Sequence, residues 1–513
     1  MKRIYTKDRV LYWMTLSLSL IICLYFANQK VGYHIDELYS YGLANSYSHP
    51  FPNAINQWLS GSYYHDYLSA DWAHRFNYLA VYQNQVQDVH PPLYYFLLHT
   101  ISSCLPGIFS KWLGLGLNLV THLLSLTMII LIGRKMSTQP YIPYTLALLW
   151  GLSVGGLNTF LFIRMYSLLT CMSLILLYQM ICLLDQGHYH LRSWIGLSLT
   201  VMLGSLTHYY FIIYAGFLFI FWLVIQLRRG QWKFLIKVGS AGLVGLGLAY
   251  LFFPAMISHL TQSNRGSETL TNLKQVGFGQ NLLTYLRFIN WELLGKMPWG
   301  LFLAIFMISV IVYYQKRPYL KHTRSNLAQK LLIIGPALAF FALVQVISHY
   351  LTPRYIYLIY PQLILYFAYY PLAAWSSFKD WRKYLTGAVF ALMLIFNLYQ
   401  PTLTYTYPQQ NQLNQIINSR SPVNAIVLTD QKWKLIRLTT YLQDYQHVYP
   451  WSAKEWSIDS FPQLADHQQS LDIYILDQAF PLSQIKGTLK QVYPDFQSKI
   501  TYQDQTLTLI HLE

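Results

Sequence analysis

Apolar stretches long enough to cross a lipid bilayer recur from Val10 to about residue 400, and no other feature constrains the fold as strongly. Hydrocarbon about 30 Å thick needs roughly 20 apolar residues per helical crossing. The composition agrees: 54% of the 513 residues are hydrophobic and only 11% are charged, too few to coat a soluble surface of that size. Lipid is therefore the expected solvent for residues 1–400.

Charge divides the chain at the same place. Residues 1–400 hold 28 Lys and Arg against 10 Asp and Glu, whereas 401–513 hold 8 against 10. The net charge of +16 thus belongs to the membrane part, where short basic loops kept on the cytoplasmic side account for it. No basic patch with interleaved aromatics stands outside those loops, so nucleic acid is not expected as a partner. Cys23, Cys104, Cys171 and Cys182 all lie in apolar segments, which argues against a disulfide framework or a Cys-based metal site. Lys2, Arg3, Lys7 and Arg9 precede the first apolar run, which is long and lacks an obvious small-x-small cleavage site; an uncleaved first helix is expected.

With the N-terminus inside, a crossing at 10–28 delivers a first external loop, residues 29–110. Further crossings are expected near 111–133, 141–162, 166–184, 193–207, 210–227, 234–254, 298–314, 328–347, 356–375 and 384–400, eleven in all. This scheme keeps Arg134-Lys135 and Arg228-Arg229 inside and puts Arg164, His208 and Arg354 at outer helix ends. Counting Pro92 to Leu105 as a crossing would invert every later loop, so that segment is expected to lie along the outer surface. Residues 401–513 alternate β-type runs, 424–430 and 472–477, with helical ones, 431–442 and 482–492. They show no Gly-rich phosphate loop, paired metal ligands or nucleophile elbow, which suits a covering or acceptor-docking role. The expected fold is an α-helical polytopic membrane protein of about 11 transmembrane helices, residues 1–400, with a small C-terminal extracytoplasmic α/β domain, residues 401–513. The expected place is the plasma membrane.

Five of the ten acids of residues 1–400 fall in the first external loop: Asp36, Glu37, Asp66, Asp71 and Asp88. A loop of that length among short connections is itself a functional signal. His34-Ile35-Asp36-Glu37-Leu38-Tyr39 begins a few residues after the first crossing, so its carboxylates sit near the lipid boundary. There a carboxylate can take a proton from an acceptor hydroxyl or hold a divalent cation, Mg or Mn, against a lipid phosphate. The other reading is that Asp36 merely caps the helix that follows. Asp88-Val89-His90-Pro91-Pro92-Leu93-Tyr94-Tyr95 closes the loop with an acid, a histidine and a rigid proline pair leading into an apolar helix. Asp36, Glu37, Asp88 and His90 are the candidate metal ligands.

Together the two segments resemble the polytopic GT-C glycosyltransferases, in particular bacterial relatives of protein O-mannosyltransferases and aminoarabinose transferases, over residues 1 to about 400. The resemblance implies a polyprenyl-phosphate sugar donor, an active site on the outer face and a loop acid as base, a role that falls to Asp36 with Glu37 beside it. Arg164-Met165-Tyr166-Ser167 resembles the family's Arg-x-Tyr segment, and an arginine at headgroup level can hold phosphate through two parallel hydrogen bonds. Thr207-His208-Tyr209-Tyr210 and Pro353-Arg354-Tyr355 fall at outer helix ends in the same scheme, so Arg164, Tyr166, His208, Tyr209, Arg354 and Tyr355 join Asp88 and His90 as candidate substrate contacts. The sequence departs from the aminoarabinose-transferase pattern in carrying His90 where that group has Lys before the proline pair. The acceptor implied is a cell-envelope glycan, glycolipid or protein. The competing readings are a flippase or transporter of lipid-linked sugar and a non-catalytic envelope scaffold. Transporters place charge near the bilayer midplane on broken helices, whereas here the acids cluster in one loop.

Overall fold

The computed structural model describes residues 6–512 except 48, 186–189, 262–277, 317–326, 349, 376–380, 400–402, 420–422, 453–460, 463–469, 477–480, 495 and 496. The chain gathers into two compact units. One holds Met1–Asn28, Val89–Tyr94 and Gly114–Thr404, and the other Gln29–Asp88, Tyr95–Leu113 and Tyr405–Glu513. Most of the first loop groups with the C-terminal residues.

The first unit is helical because an apolar run in lipid leaves its backbone amides no partners but each other. Among the described residues seven helices are long and apolar enough to cross a bilayer: Asp8–Gln29, Lys111–Met136, Tyr166–Leu184, Tyr209–Arg228, Phe234–Phe252, Leu327–Ile347 and Pro353–Trp375. Ile142–Gly151 and Val154–Leu161, bent by 60° at their junction, make an eighth if the pair is one crossing. The other three of the eleven expected crossings fall on Leu191–Ser205, Trp299–Lys316 and Trp381–Tyr399, which do not meet both criteria of length and apolarity. Helix Leu93–Cys104 has 12 residues and reaches about 18 Å, too short to cross alone. On the first helix Trp13, Met14, Ile21, Leu24 and Tyr25 are exposed, an apolar face that lipid must cover. The architecture is that of a multi-pass membrane protein.

Two helix ends in this unit are tied together. Arg134 Nη2 donates to the Tyr144 hydroxyl at 2.6 Å, and that hydroxyl donates to the Asp8 carbonyl at 2.9 Å. The start of the first helix and the 134–144 turn therefore lie at one level, as alternating crossings require.

The second unit is built on a six-stranded mixed sheet. Its strands are β1 (Leu59–Ser60), β2 (Asn424–Thr429), β3 (His447–Ser452), β4 (Leu471–Leu476), β5 (Ser498–Gln503) and β6 (Leu507–Leu512), in the order β1-β3-β2-β4-β6-β5. β2 runs parallel to β3 and β4, and the outer pairings are antiparallel. Central β2 is covered on both faces: Ala425 and Val427 pack with Leu435 and Leu442, whereas Ile426 and Leu428 pack with Trp451 and Ile485. A strand buried on both sides reads as a continuous apolar run, which is how Asn424 to Thr429 reads. The expected strands are found at Asn424–Thr429 and Leu471–Leu476, position 477 lying outside the described residues, and the expected helical runs at Lys432–Leu438, as a 3-10 turn, at Thr439–Leu442 and at Leu482–Val492; β1, β3, β5 and β6 were not anticipated.

Candidate functional site

In the second unit the chain leaves the first helix and turns at once into helix Ile35–Asn45. His34 caps it: its Nδ1 accepts from Asp36 N at 3.0 Å, while the Glu37 carboxylate reaches back to His34 N at 2.7 Å. This is a capping box with histidine in the place usually held by serine or threonine. The cap is therefore His34 with Glu37, and the reading of Asp36 as the capping side chain does not hold. The same Glu37 oxygen accepts from Lys30 Nζ at 2.9 Å, with both side chains 0% exposed. Lys30 also donates to the Tyr405 carbonyl at 2.6 Å. Burial lowers the Lys30 pKa, and the Glu37 charge opposes that shift.

Asp36, at the second helical position, keeps 23% of its side chain exposed. Its Oδ2 lies 3.6 Å from His34 Nδ1, but that nitrogen already spends its lone pair on the Asp36 amide, so it carries no proton to share. The two adjacent acids thus separate into a buried structural one and a partly exposed one. Asp88 ends helix Tyr78–Gln87, its amide donating to the carbonyls of Asn84 and Gln85.

In the first unit four of the sequence motifs converge. Tyr94, the tyrosine of the His-Pro-Pro-Leu-Tyr segment, donates to Asn118 Oδ1 at 3.2 Å. Asn118 Nδ2 in turn donates to the carbonyls of Phe160 and Phe162 at 2.9 and 2.6 Å. Where helix Val154–Leu161 stops, those carbonyls lose helical partners, and one buried amide replaces them. The turn so made carries Arg164, which is buried, and donates from Nη2 to His90 Nε2 at 3.4 Å. Since guanidinium only donates, His90 Nε2 supplies the lone pair. Leu93 N binds the Leu206 carbonyl at 2.9 Å, which ties the proline segment to the turn before His208.

His208 caps helix Tyr209–Arg228 through its Nδ1, which accepts from Tyr210 N at 3.0 Å. Its ring centroid stands 5.9 Å from His90, 5.7 Å from Tyr166 and 4.9 Å from Tyr210. Tyr166 stacks on Phe162 at 5.7 Å, and the Arg354 guanidinium lies 5.7 Å from the Phe162 centroid and 5.6 Å from that of Tyr355. Tyr355 meets Tyr210 edge-on at 5.6 Å. His90, Arg164, Tyr166, His208, Arg354 and Tyr355 therefore form one cluster. The Tyr209 hydroxyl is engaged elsewhere, 2.8 Å from His259 Nδ1. Its neighbour Tyr210, together with Phe162 and Asn118, is in the cluster and was not singled out from the sequence; only a helix-phase argument about residue 209 against 210 could have done so. Among the described residues no group of three or more His, Cys, Asp or Glu side chains gathers as a metal ion would require.

Bilayer-length helices with a small mixed sheet make up a fold of the GT-C membrane type, as comparison with solved structures shows. The apo structure of ArnT from Cupriavidus metallidurans matches with a TM-score of 0.51 at 12% identity, over 97% of each chain. ArnT bound to undecaprenyl phosphate matches at 0.49 and 12%, again over 97% of each chain. The archaeal oligosaccharyltransferase AglB from Archaeoglobus fulgidus, in complex with an inhibitory peptide and a dolichol-phosphate, is more distant at 0.41 and 11%, over 87% of this chain and 65% of that one. No protein-family model matches the sequence, and no curated protein matches it. At this identity the likeness to ArnT is one of fold.

Proposed function

We propose that the chain is a membrane glycosyltransferase that moves a sugar from a polyprenyl-phosphate-linked donor to an acceptor hydroxyl at the outer face of the plasma membrane, with inversion. The observation that carries this reading is the gathering of two guanidinium groups, Arg164 and Arg354, at the Phe162 turn among histidines and tyrosines. Such a cluster suits a phosphate that gains charge as it leaves. The family resemblance of the loop motifs and the ArnT-like fold support the same reading.

In the proposed reaction Asp36 takes the proton of the acceptor hydroxyl, and the acceptor oxygen bonds to the anomeric carbon from one face. The bond from that carbon to the phosphate oxygen breaks on the other face, and its electron pair leaves with polyprenyl phosphate. A phosphate is a competent leaving group, so the second carboxylate that glycoside hydrolysis needs as general acid is dispensable. Arg164 and Arg354 stabilise the charge gathering on the leaving phosphate. Glu37 holds the helix start that presents Asp36. The acceptor belongs to the cell envelope: a glycan, a glycolipid or a protein.

Purified protein given a polyprenyl-phosphate sugar and membrane acceptors tests this directly. Asp36→Asn should lower turnover about a thousandfold, the scale of a lost general base; wild-type turnover would remove Asp36 from that role. Release of polyprenyl phosphate in step with sugar appearing on the acceptor separates transfer from lipid flipping. Turnover that persists in EDTA marks a metal-free route, and turnover that stops marks a divalent cation.

A further inference from the structure

Outside the first loop, residues 1–400 hold only five acids, and Glu292 is one of them. It stands near the end of helix Phe278–Leu293, which is not one of the bilayer-length helices, and it is 6% exposed. Its Oε1 accepts from Asn158 Nδ2 at 2.9 Å and from the Tyr357 hydroxyl at 3.2 Å, and its Oε2 from the Tyr360 hydroxyl at 2.7 Å. All three donors are neutral and fully buried. Asn158 is itself fixed, its Oδ1 accepting from Thr404 N at 3.0 Å. Room for the arrangement depends on Gly155, where an added Cβ would lie 2.7 Å from the Tyr360 ring and 3.3 Å from Glu292 Cβ.

A buried carboxylate with no cationic partner among the described residues is costly, and a well-packed apolar residue would serve stability as well. Burial raises its pKa to about 7 against the pull of the three hydrogen bonds. What the carboxylate holds is therefore informative. Tyr357 lies on the 3-10 segment Pro353–Ile359, and Tyr360 begins the helix that follows. Arg354 and Tyr355 are on that same segment, and the Tyr357 ring meets Tyr166 edge-on at 6.3 Å. One carboxylate thus anchors the segment that carries Arg354 and backs the ring that stacks on Phe162.

We propose that Glu292 is a positioning residue: by accepting the hydroxyls of Tyr357 and Tyr360 it fixes the Pro353–Ile359 segment and so the placement of Arg354 and Tyr166 on the donor phosphate. The last clause rests on the glycosyltransferase reading; the fixing of the segment does not.

The test compares wild type with Glu292→Gln and with the Tyr357→Phe/Tyr360→Phe pair, which leaves the carboxylate in place should the first variant fold poorly. Hydrogen exchange of the full-length protein in detergent should quicken at 353–360 in either variant while the C-terminal sheet is unchanged. The KM for the polyprenyl-phosphate sugar should rise about tenfold, the scale of one lost charge-assisted contact, with acceptor KM within about twofold. A general loss of structure would not move the two KM values apart. Unchanged exchange at 353–360 overturns the proposal, and so does an unchanged donor KM. Wild type that neither binds nor uses a polyprenyl-phosphate sugar, with 353–360 still loosened by the variants, overturns the donor reading and supports the anchoring of Arg354 by Glu292.

Discussion

Glu37 and Glu292 are both buried carboxylates, and the two units satisfy them by opposite means. In the second unit Glu37 meets a full positive charge, Lys30, and a backbone amide, and the result is a fixed helix start. In the first unit Glu292 meets, among the described residues, two hydroxyls and an amide, and the result is a carboxyl whose proton is held into the neutral range. A salt bridge freezes a charge in place. Neutral donors leave it open to protonation while still directing two tyrosines.

The contrast can be broken most directly at Lys30. Lys30→Met leaves Glu37 buried without its counter-charge, so unfolding of the protein in detergent should show a loss of about 3–5 kcal/mol. Lys30→Met with Glu37→Leu should recover most of it. A loss under about 1 kcal/mol would mean that Glu37 is not the fixed charge described.

A pH series sharpens the same contrast. The Glu292 pKa rises on folding from 4.5 to about 7, so its contribution to stability is complete below the unfolded value and is lost as pH rises through the folded one. Relative to Glu292→Gln, wild type should therefore lose up to about 3 kcal/mol between pH 5 and pH 8. In the second unit, burial lowers the pKa of His99 from 6.5 to about 4. Its contribution runs the other way: present above pH 6.5 and lost as pH falls through about 4. Hydrogen exchange followed in each unit across pH 4–8 should thus show the first loosening toward neutral pH and the second toward acid. Parallel behaviour of both units would break the comparison.

The smallest expected effect separates the two adjacent acids. Asp36 keeps part of its surface in solvent and stands in the first turn of its helix, so Asp36→Ala should change unfolding free energy by less than about 1 kcal/mol. Calorimetry or denaturant titration would check this. A larger loss would make Asp36 a structural residue like Glu37.

Much of the first unit was legible because a crossing announces itself through some twenty consecutive residues. Its cluster was legible where a polar residue interrupts such a run, as Arg164, His208 and Arg354 do. Tyr209 was preferred to Tyr210 because composition does not resolve one residue of rotation at a helix start. Glu292 was overlooked because a lone acid on an amphipathic helix reads as solvent-facing. The pairing of Lys30 with Glu37 spans seven residues across a helix boundary, where no periodic pattern exists to expose it. Strand β1 was invisible for a similar reason: two residues carry no alternation, and their partner is distant in sequence.

That distance has a consequence for how the protein is made. Ser452 N donates to Asn56 Oδ1 across 396 residues, next to the β1–β3 pairing. At about 5–20 residues per second, synthesis of the intervening chain takes tens of seconds. Throughout that interval the loop bearing Asp36 lacks its companion strand while the hydrophobic helices are already being inserted. This loop is thus among the last parts of the molecule to gain its strand partner, and a ribosome that stalls before β3 leaves a membrane-embedded but unfinished protein.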